Sequence, residues 1–151
     1  MIKKLNHWEE DVANQVFAVF QNSYKVEAQL IGTLDFPPLS RSAKDIINSK
    51  TQFYSFIVDE CNAAIIEIDL EHKYLDINSL TVDPNFFRRG LASKLLSYVI
   101  KNSDFKEVRV ETAVVNLPAI KLYNKHGFVE FKRWTPSHGI EKVAMSLKPS
   151  L

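Results

Sequence analysis

Residues 79–100 read SLTVDPNFFRRGLASKLLSYVI, and their periodicity changes across one short turn. The segment up to Val82 is extended and apolar. Asp83-Pro84-Asn85 ends it, because Pro84 has no N–H for a ladder and pushes the residue before it away from helix. A basic, small-residue turn follows at Arg88-Arg89-Gly90-Leu91-Ala92-Ser93. Beyond it Leu91, Leu95, Tyr98 and Val99 recur at i, i+4, i+7 and i+8, the spacing of one helix face. A strand, a turn and a helix with a first turn of small residues are the expected elements.

The first N–H groups of a helix have no partner within it, and the dipole is positive there. Small residues at that end let a phosphate approach the backbone. Gly90 and Ala92 would leave the clearance, and Arg88 and Arg89 would add charge. An ordinary strand-to-helix connection, with a glycine for tight packing, explains the same stretch. A short glycine motif does not separate the two readings by itself.

The whole chain sets the bounds. Its 151 residues fit one domain, residues 1–151, with a core that needs no staples. Hydrophobic residues make up 46% and charged residues 25%, the balance of an ordinary globular protein. The 19 basic and 18 acidic residues leave a net charge of +1, without the basic excess of a nucleic-acid binder. No apolar run is long enough to span a bilayer, so no membrane partner is expected. The start, MIKKLNHWEED, lacks the apolar region of a signal peptide, and a cytoplasmic protein is expected. A single cysteine, Cys61, excludes an internal disulfide and a cysteine-based metal cluster.

Around the central stretch the elements fall in order. Helical spacing over residues 8–31 ends at Gly32. Residues 33–39 are a proline-containing loop, and Ser40 is placed to cap a short helix carrying Ile46 and Ile47. Strands are expected at 52–58, 63–70 and 74–82, with turns at 59–62 and 71–73. A helix over 90–102 is followed by a strand over 106–115. Asn116 is a good N-cap, Pro118 suits a first turn, and Gly127 closes that helix. Strands at 128–134 and 140–147 end the chain. This order implies an α/β fold with a mixed central sheet and helices on both faces.

The second helical unit is the more specific one. Asn116, Pro118, Ala119, Tyr123, Gly127 and Phe128 stand as N-x-P-A-x-x-x-Y-x-x-x-G-F. With the strand–turn–helix upstream, this pattern resembles the GNAT superfamily of acetyl-CoA-dependent N-acetyltransferases. The resemblance covers residues 50–148 well and the first 50 poorly. The family's pyrophosphate motif, (Gln/Arg)-x-x-Gly-x-(Gly/Ala), reads here Phe87-Arg88-Arg89-Gly90-Leu91-Ala92, so Phe87 departs from it at the first position. Most contacts in that motif come from backbone N–H groups, and Arg88 stands beside the departure.

The resemblance implies a mostly antiparallel sheet in which two parallel strands splay apart around the pantetheine arm. Acetyl-CoA is the implied acyl donor, and no metal is implied. Backbone groups of Leu80, Thr81 and Val82 would pair with the arm in the manner of an added strand. Arg88, Arg89, Gly90, Leu91, Ala92 and Ser93 would hold the pyrophosphate. Asn116, Ala119 and Tyr123 would complete the cofactor site, Asn116 and Tyr123 sharing one helix face.

Acetyl transfer to an amine needs a neutral nucleophile. A lysine amine has a pKa of about 10.4 and an α-amine one of about 8, so a base or a desolvating site is required. By resemblance Tyr123 would protonate the departing thiolate; a Tyr at helical spacing is otherwise a core aromatic. Asp76, on the strand before the pyrophosphate turn, and Glu67, on the preceding strand, are the candidate bases, with Glu111 as a rival. Each is also what a solvated position on a half-exposed strand looks like.

Other residue types add no chemistry. The four histidines have no metal-ligand spacing, and there is no G-x-S-x-G elbow. The implied function is transfer of the acetyl group to a primary amine in a ternary complex. The alternative is a module of the same fold that binds acyl-CoA without turnover. The acceptor, a small amine or a peptide or protein amine, is not encoded in any motif. Its groove would involve Glu27, Phe36, Pro37, Pro38 and Trp134. Oligomeric state is open, a homodimer included.

Overall fold

The computed structural model describes residues 1–33 and 35–149. Leu34, in the loop expected at 33–39, and residues 150–151, at the end of the expected domain, lie outside the described residues. The chain begins with β1 (Ile2–Lys4) and α1 (Glu10–Ile31), then a 3₁₀ turn at Pro37–Ser40 and α2 (Ala43–Ile47). A meander comes next: β2 (Gln52–Val58), β3 (Cys61–Glu71) and β4 (Tyr74–Val82). After a second 3₁₀ turn at Pro84–Phe86 come α3 (Leu91–Lys101), β5 (Glu107–Ala113), α4 (Leu117–Lys125), β6 (Val129–Trp134) and β7 (Lys142–Leu147).

The strands form one sheet in the order β1-β2-β3-β4-β5-β7-β6. Every pairing is antiparallel except β4 with β5, which is parallel. The fold is therefore the expected α/β one, with a mostly antiparallel sheet and one parallel pair. The hairpins between β2, β3 and β4 turn on Asp59-Glu60 and His72-Lys73, all four at positive φ. Two-residue hairpins need that left-handed backbone to match strand twist. Cys61 and Asn62, expected in the first turn, belong to β3.

Helices cover both faces. On one side Leu91, Leu95, Leu96 and Val99 of α3, with Tyr123 of α4, pack on Ile66, Ile68, Leu75, Ile77, Val108 and Val110. On the other, Val16, Phe20 and Tyr24 of α1 and Ile46 of α2 pack on Phe53 and Ile65. Burying each large apolar side chain is worth about 1.5–3 kcal/mol. On α3 the fourth buried residue is Leu96; Tyr98, expected there, is 37% exposed and rests beside Tyr54. The cap of α2 is Ser42, not Ser40. Ser42 and Asp45 form a reciprocal capping box that satisfies two backbone donors.

Two irregularities mark β4. Glu67 pairs with Ser79 and Ile68 with Ile77, so Asn78 is an extra residue, a β-bulge. Such an insertion re-aims the side chains beyond it. Leu75 and Ile77 belong to the α3 side, and past the bulge Leu80 and Val82 do. The parallel ladder also stops early. It joins Tyr74–Ile77 to Glu107–Val110, and beyond that level the two strands part.

Candidate active site

At the end of β4, the Asp83 carboxylate accepts from Asn85 N–H at 2.9 Å and starts the 3₁₀ turn. Arg88 and Gly90 then take positive φ, 65° and 70°, which swings the chain into α3. No side chain caps α3, so its first N–H groups stay available at the turn. A Cβ on Gly90 would meet no protein atom within 4 Å. The glycine thus serves the left-handed backbone, and crowding by the protein does not explain it. Arg89 stacks over the Phe86 ring at 5.2 Å, while Phe87 is 42% exposed.

A cavity of about 630 Å³ runs from this turn toward α4 and α1. It collects Leu80, Val82, Arg88, Arg89, Gly90, Leu91, Ala92, Ser93, Asn116, Ala119 and Tyr123. Thr81 is the one expected cofactor residue outside it: its buried side chain turns away, and its hydroxyl donates to the Ile65 carbonyl at 3.4 Å. Ser93 Oγ also meets His126 Nε2 at 2.8 Å, which ties the first turn of α3 to the end of α4.

A second cavity of about 300 Å³ lies where β4 and β5 have parted, on the side of α1. Its walls include Tyr24, Phe36, Pro37, Pro38, Glu111, His138, Ile140 and Lys142. It shares Glu27, Leu80, Asn116, Ala119 and Tyr123 with the first cavity. The two therefore meet in the gap, beside Tyr123.

The Tyr123 ring is buried against Phe128, yet its hydroxyl has no hydrogen-bond partner among the described residues. Burial, then the charge of Glu27 and the neighbouring Tyr24, push that hydroxyl far above the usual phenol range. It stays protonated at neutral pH, the state a proton donor needs.

Four carboxylates stand in or near these cavities. Glu27 faces both and accepts from Asn116 Nδ2 at 2.8 Å. Burial raises its pKa, against the downward pull of the Asn116 bond and Lys142. Glu67 is 1% exposed and lines neither cavity. Arg41 grips it with two bonds of 2.6 and 2.9 Å, and Thr51 and Ser79 donate at 2.7 and 3.0 Å. Burial would raise its pKa, but those donors together hold it below the usual range. Glu67 reaches the second cavity only indirectly, since the Tyr24 hydroxyl donates to Ser79 Oγ at 3.0 Å. Burial pushes the Tyr24 hydroxyl up to about 12. Asp76 lies before the bulge, bonded to Arg109 at 3.2 Å in a third cavity, and does not share a wall with Tyr123. Glu111 borders the second and third cavities and pairs with Lys142 at 3.2 Å.

The structure thus brings Tyr123 together with Glu27 and Glu111, and separates it from Asp76 and Glu67. From the sequence, Glu27 is expected only as a groove residue. A signal is present: it sits among Phe20, Tyr24 and Ala28 on the buried stripe of α1, where a carboxylate breaks the apolar pattern. Of the other expected groove residues, Phe36, Pro37 and Pro38 line the second cavity, and Trp134 lines the third.

Comparison with known proteins bears on this site. The acetyltransferase (GNAT) family model matches residues 3–128, so the likeness extends well into the first fifty residues. The UPF0157 protein YqkA of Bacillus subtilis is 32% identical over 150 residues, 99% of this chain and 44% of that protein. Human N-alpha-acetyltransferase 30 is 34% identical over 88 residues, 54% of this chain and 24% of that protein. The chain spans less than half the length of either relative. In structure it resembles the ribosomal-protein-S18-alanine N-acetyltransferase of Escherichia coli, with a TM-score of 0.77 and 20% identity over 100% of this chain and 94% of that one. The PaiA N-acetyltransferase of Thermoplasma acidophilum, solved with coenzyme A, gives a TM-score of 0.75 and 16% identity over 99% of both chains. A family match over most of the chain, with the turn and the parted strands in place, settles its kinship: the chain belongs to the GNAT acetyltransferase family.

Proposed function

We propose that the protein transfers the acetyl group of acetyl-CoA to a primary amine by direct attack in a ternary complex. One observation carries the reading: two cavities, one ending at an uncapped helix N-terminus, meet at Tyr123 in the gap between β4 and β5. Acetyl-CoA would enter from the α3 side, its pyrophosphate on the N–H groups of residues 88–93 and its arm along Leu80 and Val82. The amine would enter through the second cavity.

The side chains supply the chemistry. The amine nitrogen bonds to the thioester carbonyl carbon. The carbon–sulfur bond breaks, and Tyr123 gives its proton to the sulfur. The new nitrogen's proton passes to Glu27, whose basicity burial raises above that of an ordinary carboxylate. Exchange with solvent returns both side chains to their starting states. Glu67 acts through Ser79 by orienting the Tyr24 hydroxyl at the cavity wall, and Asp76 takes no proton in this scheme. The names of two similar proteins, an N-alpha-acetyltransferase and a ribosomal-protein alanine N-acetyltransferase, favour a polypeptide α-amine as acceptor.

The test is release of free thiol from acetyl-CoA on addition of a panel of peptides, amino acids and small amines. Amine-dependent release supports the scheme. Tight acetyl-CoA binding with no release for any amine would leave a binding module.

A further inference from the structure

We propose that the open face of the sheet beyond β5 guides the acceptor's chain away from the reacting amine and selects an acidic residue there. This rests on the acetyl-transfer reading and names a substrate class for it. The core packed beneath α1 and α2 reaches β2 and β3 but includes no residue of β5, β7 or β6. On the uncovered part lies a groove of about 580 Å³. It shares Ile77, Asn78, Val110, Glu111 and Lys142 with the acceptor cavity, so the two are continuous.

Five charged side chains line the groove. Arg109 is bonded to Asp76, and Lys142 to Glu111, each at 3.2 Å. The fifth, Lys132, has no carboxylate within 4.0 Å among the described residues. Its Nζ lies 4.8 Å from the centre of the Trp134 ring, and Lys142 Nζ lies 5.8 Å from the same ring. The groove therefore carries one unbalanced positive charge over an aromatic floor. The adjoining cavity carries Glu27, which suits an ammonium. A small amine would fill that cavity and leave the groove and Lys132 untouched. A polypeptide would use both, its N-terminus at Glu27 and a carboxylate side chain at Lys132.

The register sets the spacing. Lys132 pairs with Ala144, and Ala144 with Glu111, so Lys132 stands two strands across from β5. Two strand spacings and the half-gap to the reacting amine come to roughly 12 Å, or about four extended residues. The favoured acidic residue is thus at about positions 3–5 of the acceptor.

The experiment uses peptides with identical first two residues and Glu, Ala or Lys at positions 3–5. Acetylation rates and binding to the CoA-loaded protein are measured for the full chain and for Lys132→Glu. One exposed charge pair supports roughly a two- to fivefold preference. We expect that preference for Glu over Lys peptides, its reversal in Lys132→Glu, and its decline at high salt. Turnover of peptides with no charge preference, or a preference unmoved by Lys132→Glu, would overturn the groove and leave acetyl transfer standing. Charge-selective binding without turnover would support the groove and remove the catalytic scheme. Sedimentation showing that Lys132→Glu splits a dimer would assign the face to a second copy and overturn the proposal.

Discussion

Asn116 and Glu27 are separated by 89 residues, yet Nδ2 of the first donates to the carboxylate of the second at 2.8 Å. The same asparagine caps α4, its Oδ1 accepting from Ala119 N–H at 3.3 Å. One side chain thus fixes the start of α4 and the direction of a carboxylate at the meeting point of two cavities.

If Glu27 is the base, Glu27→Gln keeps the Asn116 bond and loses the proton acceptor. The rate should fall by about 10²- to 10⁴-fold. The acidic limb of kcat/KM in the parent reports a carboxylate titrating above its ordinary value of about 4.3, because burial raises it. Activity rises with pH through that limb, and the variant should keep only the limb of the acceptor amine, at about pH 8 for an α-amine. An unchanged profile would transfer the role to Glu111.

Tyr123→Phe keeps the ring on Phe128 and removes only the hydroxyl. We expect a clear fall in kcat, an acetyl-CoA Kd near that of the parent, and a similar Tm. Equal kcat in the two proteins, with chemistry shown to be rate-limiting, would return Tyr123 to a packing role.

At Gly90 the backbone, not the neighbours, sets the cost. Gly90→Ala meets no protein atom but must hold φ near 70°, so it should lose about 1–2 kcal/mol of stability. Gly90→Glu adds a carboxylate at the proposed phosphate position and should abolish acetyl-CoA binding by calorimetry. Wild-type affinity in that variant would remove the pyrophosphate assignment.

Arg41→Ala would leave the Glu67 carboxylate buried without its main partner. Loss of one member of such a pair costs about 3–5 kcal/mol in denaturant unfolding. Glu67 is also an acid-sensitive point. Its folded pKa lies below the unfolded value, so its contribution is complete above about pH 4.3. That contribution is lost as pH falls through the lower folded pKa. Glu67→Gln should flatten this part of the stability curve.

Local signals in the chain carried most of the fold. β2 showed as a run of aromatic and branched residues before a turn and α4 by its cap, and both lie within two residues of where the sequence put them. What spacing could not show was tertiary. β1 is three residues with two lysines, and only pairing with β2 makes it a strand. The bulge at Asn78 has no composition of its own; it exists through the register with β3. It puts Leu80 and Val82 on the α3 side, opposite Asp76, which lines the third cavity and not the two that hold Tyr123. Glu67 was legible as a position but not as a partner, because Arg41 lies on a segment with no motif. The residues expected to hold the cofactor line one cavity, Thr81 apart. The proposed base, Glu27, lies on α1, where the motif signal was weak.

The early end of the parallel ladder also has a mechanical consequence. Four residue pairs join the half-sheet of β1 to β4 to the half-sheet of β5 to β7. Past Ile77 and Val110 the facing edges of β4 and β5 are not paired with each other, and a cavity opens between them. A substrate arm lying there would act as a missing rung. It would tie the two edges together and slow amide exchange along both, adding to the Asn116–Glu27 bond that already links α4 to α1.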